Sequence, residues 1–417
     1  MCKRKLSVMM AVILLLLSVP LTTLAQRGGQ DLSESNCALT PDQIMGQAFS
    51  STAGAVGETS NKGLTPQGED IEANGLDAQA RWIMMNLPYA AGGREPVAIL
   101  VIDDFSDDGT GSRPPSHGWL VMQVLEQLQA QLPGNLADKI RLTRVNIADE
   151  VGYQSDFIQP AVERAMNTLA EAGITRFVLN MSFVFIPCVD TDLGFNFGEF
   201  RQAHQNNPTR SIVEQVGGNV AYVRSLLQDS RISVVEENSL EMTDVNNLRG
   251  QGRVTSGRQI PPTPAQANPS LQPQNLRVLR LFNNARLQSD PLRDFLRQTA
   301  RGRIVVPVAS SGNFKQRQPF FPARWPEVIS VSANEGNDFR FWLQSNNAAV
   351  SVPGAWFLFD DGEYRAGTSF AAPVVSLLIA MDLTQSQPRC ALRGGTSALA
   401  RGNYDNTLIG DVVRQFC

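Results

Sequence analysis

Ser369 stands where a turn of small residues leads into a long apolar run, in the heptapeptide Gly-Thr-Ser-Phe-Ala-Ala-Pro at 367–373. This pattern predicts that the serine lies in the first turn of a buried helix that continues through the apolar residues 374–381. Backbone N–H groups at a helix N-terminus lack partners within the helix and carry partial positive charge, so they could stabilise an oxyanion beside the serine hydroxyl. A capped core helix that begins with Thr-Ser explains the same residues without any chemistry.

A serine hydroxyl is a poor nucleophile at its own pKa and needs a neighbouring base. The chain has two histidines. His204 lies among polar residues and is expected at the surface, whereas His117 begins a stretch of helical periodicity at 119–132. His117 is therefore the candidate general base, because neutral imidazole accepts protons near pH 7. The alternative is a packing or capping histidine.

Asp103 follows a continuous apolar run, 97–102, which predicts a strand buried on both faces of a parallel sheet. Functional groups of open α/β sheets lie at the carboxyl ends of strands, so Asp103 is the candidate that orients the imidazole. The adjacent Asp104 would point to the opposite face of a continuing strand and is the alternative. Asn313 follows the predicted strand 304–309 in a turn and could donate its amide to an oxyanion, although asparagine is common in turns for backbone reasons.

These segments, in this order, resemble the motifs of the subtilisin-like serine proteases (subtilases). Each of the four positions matches one family motif. The matches are Val-Ile-Asp at 101–103 to the aspartate motif, Ser-His-Gly at 116–118 to the histidine motif, Ala-Ser-Ser-Gly-Asn at 309–313 to the oxyanion-hole segment, and 367–373 to the serine motif.

The chain also departs from the family pattern. Phe370 replaces the usual methionine, Val374 replaces a frequent histidine, and Trp-Leu at 119–120 follows the histidine motif. The link between Asp103 and His117 is shorter than the family usually has, but an extended chain of this length still spans about 40 Å, far more than a triad requires.

Asn-Met-Ser at 180–182 resembles the family strand that lines the substrate cleft. The family usually continues with small residues, whereas this chain has Phe-Val-Phe at 183–185. Either the first specificity pocket is narrowed or the match ends at Ser182.

The resemblance implies an α/β fold with a doubly wound, mostly parallel sheet flanked by helices, interrupted by a large insertion at about 187–289. It also implies a serine endopeptidase acting on proteins or peptides. Ser369 would be the nucleophile, His117 the general acid and base, Asp103 the orienting carboxylate, and Asn313 with the Ser369 N–H the oxyanion hole. The alternative is a catalytically inactive subtilisin-like fold that serves as a protein-binding module.

Apolar and polar periodicity predicts the elements between the motifs. Strand, helix and strand with short links predict right-handed parallel crossovers. The predicted helices are 76–85, 156–172, 211–227 and 290–300, the further strands are 140–147, 177–182, 231–236 and 328–333, and 250–274 is predicted as an exposed loop.

The N-terminus predicts export. Residues 1–25 combine a basic start, a short apolar run and a small-residue end, as in a secretory signal peptide, and an uncleaved anchor is the alternative. Residues 26–94 would be an N-terminal extension or prosegment, and 95–417 the peptidase domain. The protein is expected to be secreted, extracellular or periplasmic, with no stable membrane association after the signal is removed.

The formal net charge of −4 and the absence of a basic run give no indication of a nucleic-acid partner. No cofactor is expected. The acidic turn at 107–111 could hold a structural calcium ion, but a solvated loop is favoured because no distal bidentate glutamate completes a calcium loop.

Removal of the signal leaves four cysteines, none with metal-site spacing, and in an exported chain these predict disulfides. Four cysteines allow three pairings. Cys390 and Cys417 are expected to pair because they bracket the short tail after the serine helix, and Cys37 then pairs with Cys188 by elimination.

Peptide mapping under non-reducing conditions should therefore recover one cross-linked peptide that contains Cys390 and Cys417. Recovery of both as free thiols would refute this pairing.

Overall fold

The computed structural model describes residues 35–45, 76–86, 93–110, 115–148, 153–208, 210–217, 273–285, 290–298, 302–314, 316–334, 345–355, 357–360, 364–388 and 407–408. The strands are β1 (Asn36–Leu39), β2 (Val97–Asp103), β3 (Ile140–Asn146), β4 (Arg176–Met181), β5 (Val184–Pro187), β6 (Val189–Asp190), β7 (Phe195–Asn196), β8 (Ile304–Ser310), β9 (Ile329–Asn334), β10 (Val350–Pro353), β11 (Phe357–Leu358), β12 (Tyr364–Arg365) and β13 (Thr407–Leu408). The helices are α1 (Pro41–Met45), α2 (Leu76–Asn86), α3 (His117–Ala130), α4 (Gly134–Ala137), α5 (Ser155–Glu171), α6 (Phe197–Asn206), α7 (Ile212–Gln215), α8 (Pro273–Asn283), α9 (Pro291–Gln298) and α10 (Thr368–Leu383).

The central sheet has seven strands in the order β13-β10-β9-β8-β4-β2-β3, and every neighbouring pair is parallel. The chain leaves β2 for β3 on one side and later returns to pair β4 on the other side. The order of strands therefore reverses at β2, and in open α/β sheets this switch point is where sites form outside the carboxyl ends of the strands. The predicted α/β class with a mostly parallel sheet flanked by helices is confirmed.

Strand β2 is buried along its whole length because a hydrophobic layer covers each face of the sheet. Ala98, Leu100 and Ile102 join one core cluster, which includes the apolar face of α5. The alternate residues Val97, Ile99 and Val101 join the other cluster, with α2, α3 and α10. This two-faced burial explains why the strand reads as a continuous apolar run.

Part of the predicted N-terminal extension packs on the domain. Strand β1 pairs antiparallel with β5, and α2 packs against α3. A disulfide joins Cys37 to Cys188, as predicted by elimination. Cys390 and Cys417, like residues 1–34, lie outside the described residues, so the second pairing and the signal peptide remain predictions.

Of the three elements predicted in the insertion, the helix and the loop differ from the structure, and the strand is not among the described residues. The predicted helix 211–227 begins as a single turn, α7, and its residues after 217 are not among those described. The predicted loop 250–274 ends too late, because Pro273 already begins α8, whose amphipathic apolar side packs into the core. The predicted strand 231–236 and the rest of that loop lie outside the described residues. Among the helices that the structure does describe, none is both long and apolar enough to cross a membrane.

Helix α3 can start against the end of β2 only because residue 118 is glycine. The Gly118 N–H donates to the Asp104 carbonyl at 2.8 Å, and a Cβ on Gly118 would lie 2.5 Å from that oxygen and 3.0 Å from the Cβ of Asp103. Gly134 in α4 offers a matched position, since a Cβ there would have nothing within 4 Å.

We predict that Gly118→Ala lowers the free energy of unfolding by about 1–3 kcal/mol, the usual cost of overpacking. Gly134→Ala should leave it unchanged or raise it, because alanine has the higher helix propensity. Thermal melts of both variants test this, and a Gly118→Ala protein as stable as Gly134→Ala would show that the contact is not tight.

Candidate active site

The four sequence-predicted residues come together at the carboxyl edge of the sheet. Asp103 ends β2, and His117 begins α3 beside it. Asn313 follows β8 and contacts Thr368 at the start of α10, the helix that carries Ser369. The His117 ring lies 5.9 Å, centre to centre, from the ring of Phe370, the residue after Ser369.

The imidazole of His117 is held by Asp103. Its Nδ1 lies 2.9 Å from each carboxylate oxygen of Asp103, and the two side chains are 2% and 0% exposed. The Asp104 side chain turns away and accepts a hydrogen bond from the Tyr153 hydroxyl instead. Nδ1–H therefore faces the carboxylate, which leaves Nε2 as the basic atom, and Nε2 has no hydrogen-bond partner among the described residues.

Opposing effects set the pKa of His117. Burial lowers this pKa, because desolvation disfavours the imidazolium. The charge and hydrogen bond of Asp103 raise it, as do the nearby carboxylates of Asp42 and Asp104, and the net pKa lies above the ordinary value of 6.5. His117 is thus a stronger base than a free histidine, and it is neutral only at a correspondingly higher pH.

A chain of buried hydrogen bonds fixes the backbone of Ser369, and it is needed because a proline follows four residues later. Pro373 has no N–H, so the Ser369 carbonyl four residues earlier lacks its helical donor. The Ser182 hydroxyl donates to that carbonyl at 3.0 Å. Asn180 donates to the Ser182 hydroxyl at 3.0 Å and accepts from Ser376 at 2.9 Å, so α10 is bonded to the end of β4.

The Ser369 hydroxyl donates to the backbone carbonyl of Ser182 at 3.3 Å. No hydrogen bond between Ser369 and His117 occurs among the described contacts. A rotation about the Cα–Cβ bond of Ser369, between staggered rotamers, would move its hydroxyl oxygen away from Ser182.

Thr368 orients the side chain of Asn313. The Asn313 amide oxygen accepts from both the N–H and the hydroxyl of Thr368, each at 3.0 Å. The Thr368 hydroxyl in turn accepts from the Gly312 N–H at 3.0 Å. Because the amide oxygen is engaged there, the amide nitrogen of Asn313 points the other way, toward Gly367. It lies 3.3 Å from the position that a Cβ would occupy if residue 367 had a side chain.

Three residues of the site were not singled out from the sequence. Ser182 and Thr368 appeared only as members of motifs, although the proline four residues after Ser369 signals that its carbonyl needs an outside donor. Asp42 had no signal at all, because it lies far from the motifs along the chain.

Residues from before the motifs also line the site. Leu39, Pro41 and Ile44 line a cavity together with Ser369 and Asn313, and this cavity has a volume of only about 20 Å³. Phe183 and Val184 line it as well. Within the described part of the chain, no cluster of three or more His, Cys, Asp or Glu side chains could hold a metal ion.

No protein-family model matches the chain. Solved structures to which it is similar include the prenylagaramide maturation protease PagA, at 14% identity over 82% of this chain and 99% of that chain, with a TM-score of 0.36. They also include the self-cleaved protease domain of PatA (16% identity, 78% and 98% coverage, TM-score 0.35) and the S41 psychrophilic protease (15%, 74% and 84%, TM-score 0.31). These are proteases by name, but identities and TM-scores this low carry no argument about how this chain works.

The pKa of His117 can be measured by NMR, since the chain has only one other histidine. We expect a pKa above 6.5, and Asp42→Asn should lower it because one negative charge is removed. Asp107→Asn is the matched control, since Asp107 lines the same cavity as His117 but is not one of the main causes of the shift in this pKa. Equal pKa values in the two variants would contradict the assigned role of Asp42.

Proposed function

We propose that this protein is a secreted serine endopeptidase that hydrolyses peptide bonds through Ser369, His117 and Asp103. The observation that carries the proposal is the buried Asp103–His117 contact, which leaves the imidazole Nε2 unpartnered beside the helix of Ser369. A buried histidine nitrogen without a partner is costly for a merely structural side chain, whereas a general base needs this nitrogen available.

In the proposed reaction, the Ser369 hydroxyl turns toward His117, and Nε2 takes its proton as the oxygen attacks the substrate carbonyl carbon. Asp103 holds the Nδ1–H tautomer and stabilises the imidazolium. The same proton then passes from Nε2 to the leaving amine, and a water molecule repeats the sequence to release the acyl group.

The oxyanion of each tetrahedral intermediate would be stabilised by the Asn313 amide nitrogen and the Ser369 N–H. Thr368 supports this role because it fixes the direction of the Asn313 amide before the charge develops. Donors held in advance need no reorganisation during the reaction, which is why such groups contribute strongly to rate.

Export supports the proposal in a separate way. The N-terminal residues predict a secretory signal, and a buried disulfide between Cys37 and Cys188 is typical of an oxidising compartment. Proteins or peptides outside the cytoplasm would then be the substrates.

A fluorophosphonate probe tests the proposal, because it reacts with a serine only when base and oxyanion hole act together. Labelling should occur at Ser369, be lost in His117→Ala and persist in His204→Ala, the matched change at the other histidine. Asn313→Ala should slow peptide hydrolysis by about 10²–10³-fold and Asp103→Asn by about 10⁴-fold, while Asp104→Asn should have a milder effect.

Ser369 is only 3% exposed, so labelling is followed for hours. The experiment is repeated on Ile44→Glu, because a charge at this buried position weakens the packing of the apolar residues that line the cavity beside Ser369. Absence of both labelling and peptide cleavage in a folded variant with an accessible position 369 would contradict the peptidase. The inactive binding module would then be the better description.

A further inference from the structure

Tyr153 has an uncommon backbone conformation beside the candidate active site. Its φ is +51°, and it is the one non-glycine residue with a positive φ in the part of the chain that the structure describes. This conformation is unfavourable for a bulky residue, so the surrounding contacts must hold it. The side chain is buried, and the Tyr153 N–H donates to the Ile147 carbonyl at 2.9 Å. Strain of this kind is concentrated at functional sites, where a side chain must be kept in one place.

The Tyr153 hydroxyl holds the side chain of Asp104. It donates a hydrogen bond to one carboxylate oxygen of Asp104. Burial and the charge of Asp104 keep the pKa of this hydroxyl well above 10, so it remains a donor throughout the neutral pH range. Asp104 lines the same cavity as His117, and its charge raises the pKa of that histidine. Tyr153 therefore restrains a carboxylate that lies close to the imidazole.

The backbone of Asp104 connects this contact to the Asp103–His117 pair. Its N–H donates to a carboxylate oxygen of Asp103 at 2.7 Å. Its carbonyl accepts from the Gly118 N–H and from the Ser116 hydroxyl, each at 2.8 Å. Asp104 therefore bonds both to Asp103 and to the start of α3, the helix that begins with His117. A shift of Asp104 would disturb both members of the pair.

Helix α6 of the insertion packs on the ring of Tyr153. The guanidinium of Arg201 lies 5.1 Å from the centre of this ring, and the buried ring of Phe197 packs against it with 5.6 Å between centroids. Arg201 also donates from Nη2 to the Ala148 carbonyl at 3.1 Å. Both residues belong to α6, which lies within the segment 187–289 that the subtilase resemblance sets apart as an insertion.

We propose that α6 of the insertion positions the Asp103–His117 pair through Tyr153 and Asp104. Tyr153 and Arg201 are positioning residues, because they act on the imidazole through Asp104. While Tyr153 holds its carboxylate, Asp104 cannot turn to the imidazole, and Asp103 is left as the single partner of Nδ1. The effect on the reaction rests on the proposed peptidase function, whereas the effect on the His117 ring does not.

A second carboxylate partner would impair the reaction for a geometric reason. Nδ1 of His117 lies 2.9 Å from each oxygen of Asp103, and this contact fixes the orientation of the ring and therefore of Nε2. Competition from Asp104 would turn the ring. A misplacement of only about 1 Å in a reacting group can cost about 10²-fold in rate.

The Nδ1–H proton of His117 reports on the pair in the full chain, because a proton held by a carboxylate gives a downfield NMR signal, assigned here by its loss in His117→Ala. Tyr153→Phe removes the hydroxyl and keeps the ring, and it should broaden or shift this signal. Arg201→Met should do the same, because it releases the ring. Arg280→Met is the matched control, since it removes a guanidinium from α8 of the same insertion, where Arg280 pairs with Asp192.

Peptide hydrolysis gives the catalytic readout. Tyr153→Phe should lower kcat by about 10–100-fold. It should leave KM within about twofold, because a positioning residue acts on the reaction and not on substrate binding. The same change in an Asp104→Ala background should have little further effect, because no carboxylate remains for the hydroxyl to restrain.

An unchanged Nδ1–H signal in folded Tyr153→Phe and Arg201→Met proteins would overturn the inference. Equal effects of Tyr153→Phe with and without Asp104 would also overturn it, because the hydroxyl would then act elsewhere. An equal effect of Arg280→Met would do so as well, since it would indicate a general loosening of the insertion. A signal that changes in the two test variants alone, in a chain that hydrolyses no peptide, would support the positioning role and refute the peptidase.

Discussion

The buried carboxylate of Asp103 is the constraint on which the rest of the site depends. A carboxylate with no exposed surface loses its hydration, so it must receive hydrogen bonds from the protein. The Asp104 N–H supplies one at 2.7 Å, and His117 supplies the other. For His117 to do so, α3 must begin against the end of β2, and that close approach requires a residue without a side chain at Gly118.

The nucleophile side of the site is fixed by a different requirement. Pro373 deprives the Ser369 carbonyl of a helical partner, and the end of β4 supplies one through Ser182. Because Asn180 and Ser376 complete this buried chain of hydrogen bonds, any movement of α10 away from β4 would leave several polar groups unsatisfied. The helix that carries Ser369 is therefore tied to the strand next to the one that carries Asp103.

What the sequence predicted correctly was mostly local. The apolar run of β2 and the helical periodicities of α3 and α5 reflect burial on the faces that pack into the core. The match of Val-Ile-Asp to the aspartate motif favoured Asp103 over Asp104, and in the structure Asp103 is the residue that contacts His117. Strand β1 could not be predicted, because four residues give no usable periodicity and their partners in β5 lie far along the chain. Only the cysteine count pointed to that contact, by pairing Cys37 with Cys188. The same distance along the chain hid Asp42.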